Sequence, residues 1–174
     1  MSQLKAAPGV PGKQPDLNFI VPFVQSAIKV LTTLANTKPE KEEVFVRTAT
    51  QSSGDISAII ALNSNDYLGS MAITFEKACF LGLVGSMLGE TYTEISPDIQ
   101  DAAAEICNQV FGASKLILNQ QGHSIQPAIP SVVVGQGHII HHSAIGKVLA
   151  VRFKTEFGRF VIEAVVEQRG PKHV

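Results

Sequence analysis

The sequence predicts an α+β fold, a largely antiparallel sheet packed with about three helices, and three observations carry that expectation. Helix-like and strand-like segments come in runs rather than in strict βαβ alternation. Residues 44–50, 68–75, 147–155 and 159–166 alternate apolar and polar side chains, as strands with unlike faces do. Residues 99–117 repeat apolar positions at helical spacing. A chain of 174 residues suits a single domain, and 45% hydrophobic against 17% charged residues supplies its core.

From the N-terminus, residues 1–15 are Pro-, Gly-, Lys- and Gln-rich with little to bury, and are expected to form a disordered tail. Residues 16–167 form the expected domain, and 168–174 a flexible C-terminus. Phe19, Phe23, Ala27, Val30 and Leu34 share one face of a helix over 16–36. Pro22 is tolerated only near the first turn, which favours Asn18 over Asp16 as its cap. Residues 37–43 hold Pro39 and five charges and read as a solvated connector. Strands are expected over 44–50, 56–62 and 68–75, the second apolar on both faces. The turn cluster Asn63, Ser64, Asn65 and Asp66 joins the last two as a hairpin.

A helix over 76–88 ends at Gly89. The next helix has the clearest signals. Ser96 offers a capping hydroxyl, Pro97 suits the first helical position and Asp98 is a first-turn acid. Ile99, Ala103, Ile106, Val110, Ala113 and Ile117 then recur at spacings of 4, 3, 4, 3 and 4, to about Gln121, before Gly122. Short β-like pieces follow around Ile125, at 131–134 and at 138–141. Strands over 147–155 and 159–166 meet through the loop Glu156, Phe157 and Gly158.

Several functions are excluded. A net charge of −1 gives no broad footprint for nucleic acid. The uncharged runs 17–28 and 78–89 fall short of the ~20 apolar residues of a bilayer span. The longer run 116–146 is broken by Pro127, Pro130, glycines, glutamines and four histidines. No apolar leader opens the chain, and Cys79 and Cys107 cannot build a disulfide framework, so a cytoplasmic protein is expected. Gly135, Gln136 and Gly137 are too few for a phosphate loop. His138, His141 and His142 invite a metal reading. On a strand, however, 138 and 142 share a face while 141 points away, and no acid or cysteine completes a set. They read as strand-edge histidines, and no metal is expected. Cys107 lies near the core boundary with no base at an identifiable spacing. It reads as a buried thiol rather than a nucleophile, and Cys79 as core.

Opposite the apolar stripe of the long helix sit Asp101, Glu105 and Asn108, whose spacings of 4 and 3 place them on one face. Five acids (Glu90, Glu94, Asp98, Asp101, Glu105) and no base occur from 90 to 114. The plain reading is a solvated outer face. The chemical alternative is that an amide holds a water through its carbonyl and NH₂, while a carboxylate one turn earlier meets a partner's cation. On a rigid helix, that pair can align water on a phosphoryl group, where catalysis is chiefly alignment and charge placement.

Asp101-Ala-Ala-Ala-Glu105-Ile-Cys-Asn108 followed by Pro130 resembles the signature of the CheC/CheX/FliY chemotaxis phosphatases. Twenty-one residues separate Asn108 from Pro130, one fewer than in the family pattern. Asn18-Phe-Ile-Val-Pro-Phe23 also resembles the opening of the CheX first helix. The first helix offers no second Glu-x-x-Asn, which points to the single-site CheX-like branch. The resemblance implies dephosphorylation of the aspartyl phosphate of a CheY-like receiver. Asn108 would position the water, Glu105 would engage the receiver's lysine, and Asp101 would stand at the edge of the contact. It also implies a homodimer and no cofactor of its own, the Mg²⁺ belonging to the receiver. Composition adds to the expectation of a sheet-joined dimer, because 56–62 is apolar on both faces and 116–146 is uncharged. The alternatives are a non-catalytic module that binds a receiver or motility component, and a small-ligand sensor using the sheet.

Overall fold

A computed structural model describes residues 17–47 and 54–169, and over these the elements follow the expected order. The tail at 1–15, Asp16, residues 48–50 of the first expected strand and residues 170–174 lie outside the described residues. Helix α1 spans Leu17–Ala35, β1 Glu40–Arg47, β2 Ile56–Asn63, β3 Tyr67–Phe75 and α2 Lys77–Leu88. Then come α3 Pro97–Gln120, β4 Ser131–Val134, β5 Val148–Thr155 and β6 Gly158–Gln168.

The six strands pair in the order β1-β5-β6-β3-β2-β4, and every neighbouring pair is antiparallel. The expected hairpins form: Ser64 N–H bonds the Tyr67 carbonyl in the β2–β3 turn, and Thr155 pairs with Gly158 where β5 meets β6. Period-2 alternation then sends Ile56, Ala58, Ile60 and Leu62 of β2 to the helical side, with Met71, Ile73 and Phe75 of β3 beside them. Phe153 and Phe160 join them from β5 and β6; their rings stack 4.8 Å apart, and Phe160 lies 5.7 Å from Phe75. Phe80 extends this aromatic cluster into α2. Helix α2 ends at Gly89, whose φ of 73° is the left-handed conformation that glycine adopts without a Cβ clash.

Three local expectations are corrected. Asn18 is not a cap: α1 already begins at Leu17, so Asn18 and Pro22 both lie inside it. Pro22 is the sixth residue of α1, past the first turn, so it removes an interior backbone bond and crowds the preceding turn, a cost that burial of Phe19, Phe23 and Ala27 offsets. Residues 40–43, read as a solvated connector, form the first half of β1. Their charges are compatible with a strand because β1 is a sheet edge, and Glu42 and Glu43 pair with Arg159 and Arg152. Residues 138–141 and the segment at Ile125 are not strands.

Helix α1 also changes the membrane account. Over Asn18–Ala35 it is long and apolar enough to cross a bilayer by length and composition. The uncharged run ends before Lys29, whereas the helix continues. Its apolar content has another use here: Phe23, Ala27, Leu31 and Ala35 are buried in the core, and α1 packs against α3.

Candidate functional site

Helix α3 positions the site. Pro97 takes the first helical position as expected, but the Ser96 hydroxyl makes no capping bond. The first turn closes instead through Ile99 N–H to the Ser96 carbonyl at 3.1 Å. The buried side is Ile99, Ala103, Ile106, Cys107, Val110, Phe111, Ser114 and Leu118. Ala113 and Ile117 of the expected stripe are only half-buried, because the helix packs on α1 as well as β2 and the stripe rotates to serve both. Ser114 marks the α1 contact: its hydroxyl donates to the Val110 carbonyl at 2.6 Å and faces the Pro22 carbonyl at 3.4 Å.

Anchoring that side turns Asp101, Glu105 and Asn108 outward, and all three are exposed. The structure thus brings the three residues together on one convex helix face. Glu105 is also held in place by a residue that the sequence reading passed over. Gln109 Nε2 donates to Glu105 Oε1 at 2.7 Å, and no described residue bonds Oε2. The signal was available, since an i,i+4 Glu–Gln pair shares a helix face. Among the described residues the Asn108 amide has no hydrogen-bond partner, so its carbonyl and NH₂ are open to water or to another molecule.

The acidic face is smaller than its five carboxylates suggested. Lys77, at the start of α2, reaches Glu94 at 2.7 Å, and Glu90 accepts the Tyr92 hydroxyl at 2.9 Å. Asp98, Asp101 and Glu105 remain without a cation among the described residues. Pro130 immediately precedes β4, which pairs with β2 and touches α3. The second part of the signature therefore returns to the same end of the sheet as α3.

The other candidates become structural. His138 Nδ1 lies 2.5 Å from the Gly135 carbonyl, which can only accept, so that nitrogen carries the proton. Its Nε2 pairs with the Ser57 hydroxyl at 2.6 Å. His142 pairs with Ser70 at 2.9 Å and with Glu163 at 3.3 Å. These bonds hold the segment after β4 against the sheet face away from the helices. Among the described residues no group of three or more His, Cys, Asp or Glu is placed to hold a metal. A cleft of about 320 Å³ beside Glu42, Thr74, Arg152 and Arg159 runs across β1, β5, β6 and β3, and its arginines already pair with Glu42 and Glu43.

Cys107 and Cys79 are buried, and burial pushes both thiols up to about 12. Thiols shifted that way stay protonated at pH 8, so neither is a nucleophile. Iodoacetamide at pH 8 is expected to label neither cysteine in the native chain and both in urea. Rapid native labelling of Cys107 would contradict its burial beneath α3.

The family described as "Chemotaxis phosphatase CheX" matches residues 56–154. No curated protein matches the chain. Among solved structures, a chemotaxis protein CheX from Desulfovibrio desulfuricans is 34% identical, with 87% of this chain and 100% of that one covered at a TM-score of 0.79. A chemotaxis protein CheX from Vibrio vulnificus is 32% identical, with 86% and 99% covered at 0.80. The CheX of a CheX-CheY-BeF3-Mg²⁺ complex from Borrelia burgdorferi shares the fold at 20% identity and a TM-score of 0.69, with 89% and 100% covered.

Proposed function

Because the chain belongs to the CheX family of chemotaxis phosphatases, we propose that it hydrolyses the aspartyl phosphate of a CheY-like receiver domain. The observation that carries this reading is the exposed pair on α3: a carboxylate fixed by Gln109 and, one turn on, an amide with no partner among the described residues. Helix α3 enters the receiver's active site. The Asn108 carbonyl accepts from a water and its NH₂ orients toward the phosphoryl oxygens, holding the water in line with the aspartyl–phosphorus bond. The new bond joins water oxygen to phosphorus; the bond to the aspartyl oxygen breaks, releasing the carboxylate and inorganic phosphate. Glu105 Oε2, which no described residue bonds, meets the receiver's lysine. The receiver brings its own Mg²⁺ and acids, so the chain supplies alignment and one charge, in the cytoplasm where such receivers act.

Phosphate release from phosphorylated receivers of the same genome tests this. Acceleration of at least one receiver supports it, tight binding without turnover favours a non-catalytic module, and neither leaves the reading without a substrate. Glu105→Gln keeps the shape and removes the charge. Without the charge-assisted hydrogen bond to the lysine, receiver affinity is expected to fall about tenfold. The melting temperature should stay unchanged because Glu105 is exposed. Unfolding of that variant would make Glu105 structural instead. Asp101 is proposed as a peripheral contact; unchanged affinity of Asp101→Ala would reduce it to a solvated residue.

The chain is also proposed to act as a homodimer joined through its sheet. Among the described residues β1 and β4 are edges with no further strand beside them, and Ile129 and Ile145, at 90% and 88% exposure, flank β4 in sequence with exposed Val133, Val134 and Ile139 between them. Like charges on α3 stay outside such an interface. Light scattering at micromolar concentration is expected to give about twice the chain mass of 18.6 kDa. A peak of single-chain mass sinks the dimer.

A further inference from the structure

Gly112 is exposed in the middle of α3, and apart from its chain neighbours and the backbone of its own helix, a Cβ added there would meet no atom of the described residues within 4 Å. Nor is it among the glycines with positive φ. The fold therefore asks for no glycine at this position: there is no turn, no left-handed backbone and no crowding neighbour. Yet apart from proline, glycine is the least favourable residue for a helix interior. The helix accepts a local loss of stability that one methyl group would remove without a clash.

Its place on α3 suggests why. Gly112 follows Asn108 by four residues and Glu105 by seven, which puts it on their face about 6 Å beyond Asn108 along the axis. One further turn on the same face stands Leu116, a large apolar side chain at 67% exposure. Carboxylate, amide, gap and apolar knob thus form one continuous outward stripe. A gap in an exposed stripe gives a second molecule access to the helix backbone, one of the recurring uses of glycine.

We propose that Gly112 is the close-approach position of the receiver interface. Its missing side chain lets the receiver settle onto α3 far enough for its phosphoryl group to reach the Asn108 amide, and Leu116 forms the apolar end of the footprint. This rests on the reading of Glu105 and Asn108 as the receiver-facing pair. Gly112 is a positioning residue: it touches the receiver's surface and not the reacting atoms.

The test uses the full chain with CheY-like receivers of the same genome, loaded with beryllofluoride and Mg²⁺ for binding and phosphorylated for turnover. Gly112→Ala is expected to raise the melting temperature by about 2–3 °C, and Gly112→Gln to leave it at or above that of the parent. Both are expected to bind the loaded receiver more weakly, Gly112→Gln by about tenfold or more. The loss falls on KM and kcat together, because a receiver held off α3 also keeps its phosphoryl group from the Asn108 amide. Leu116→Ala lowers affinity in the same assay. If Gly112→Gln binds like the parent while Asn108→Ala loses turnover, the catalytic pair stands and the close-approach role is overturned. A lower melting temperature in both glycine variants also overturns it, by making the glycine a requirement of the fold. If the parent neither binds nor dephosphorylates any receiver, the reading of the pair fails and this proposal with it.

Discussion

Replacing Asn108 with alanine is expected to reduce stimulated receiver dephosphorylation by about 100-fold or more, the scale of losing alignment of a reacting group. The melting curve should not fall. Asn108 is exposed and its side chain has no partner among the described residues, and alanine is the better helix former. That combination separates catalysis from stability at one residue. Binding of the beryllofluoride-loaded receiver should persist, because Glu105, Gly112 and Leu116 remain. The expected signature is therefore a loss in kcat with affinity largely kept, read by phosphate release and by titration in parallel. A variant with full turnover would remove Asn108 from the mechanism. A variant that cannot bind would make it an affinity residue.

The opposite separation is expected at Phe160. Its ring is buried and stacked on Phe153 with 4° between planes, and it also touches Phe75. Phe160→Ala leaves a cavity between three strands and is expected to cost about 3–5 kcal/mol. For a chain of this size that is roughly a 10 °C fall in melting temperature, and a large part of a total stability of about 5–15 kcal/mol. The cluster lies beneath β5, β6, β3 and α2, while Glu105 and Asn108 face outward from α3. Below its transition the variant should therefore keep whatever receiver dephosphorylation the parent shows. A loss under 1 kcal/mol would mean that the ring's surroundings close over the gap. Lost activity in a still-folded protein would tie α3's placement to this cluster.

Most of the elements were legible because their signals are local. Pro97 and Asp98 begin α3, Gly89 ends α2, and the cluster from Asn63 to Asp66 turns β2 into β3; each acts within a few residues of itself. The candidate pair was legible for the same reason. Spacings of 4 and 3 put Asp101, Glu105 and Asn108 on one face of any helix, wherever that helix packs. The reading failed where the deciding partner is distant. Glu42 and Glu43 look like loop residues until β5 and β6 bring Arg152 and Arg159 beside them. Glu94 counts as a free acid until α2 presents Lys77. His138 and His142 look like strand-edge residues until Ser57, Ser70 and Glu163 meet them across the sheet.

By itself, then, the sequence determined the α+β class, the order of the helices and strands, the two hairpins and the identity of the outward residues on α3. Periodicity, turn residues and helix starts and stops are properties of short stretches of chain. Only the tertiary structure decided the strand order β1-β5-β6-β3-β2-β4, the rotation of the buried stripe toward α1, the inclusion of residues 40–43 in an edge strand and the gap at Gly112 beside the Asn108 amide. Each of these depends on which distant surfaces come together. A glycine's emptiness, like a carboxylate's pairing, is defined by the neighbours that folding brings or leaves out.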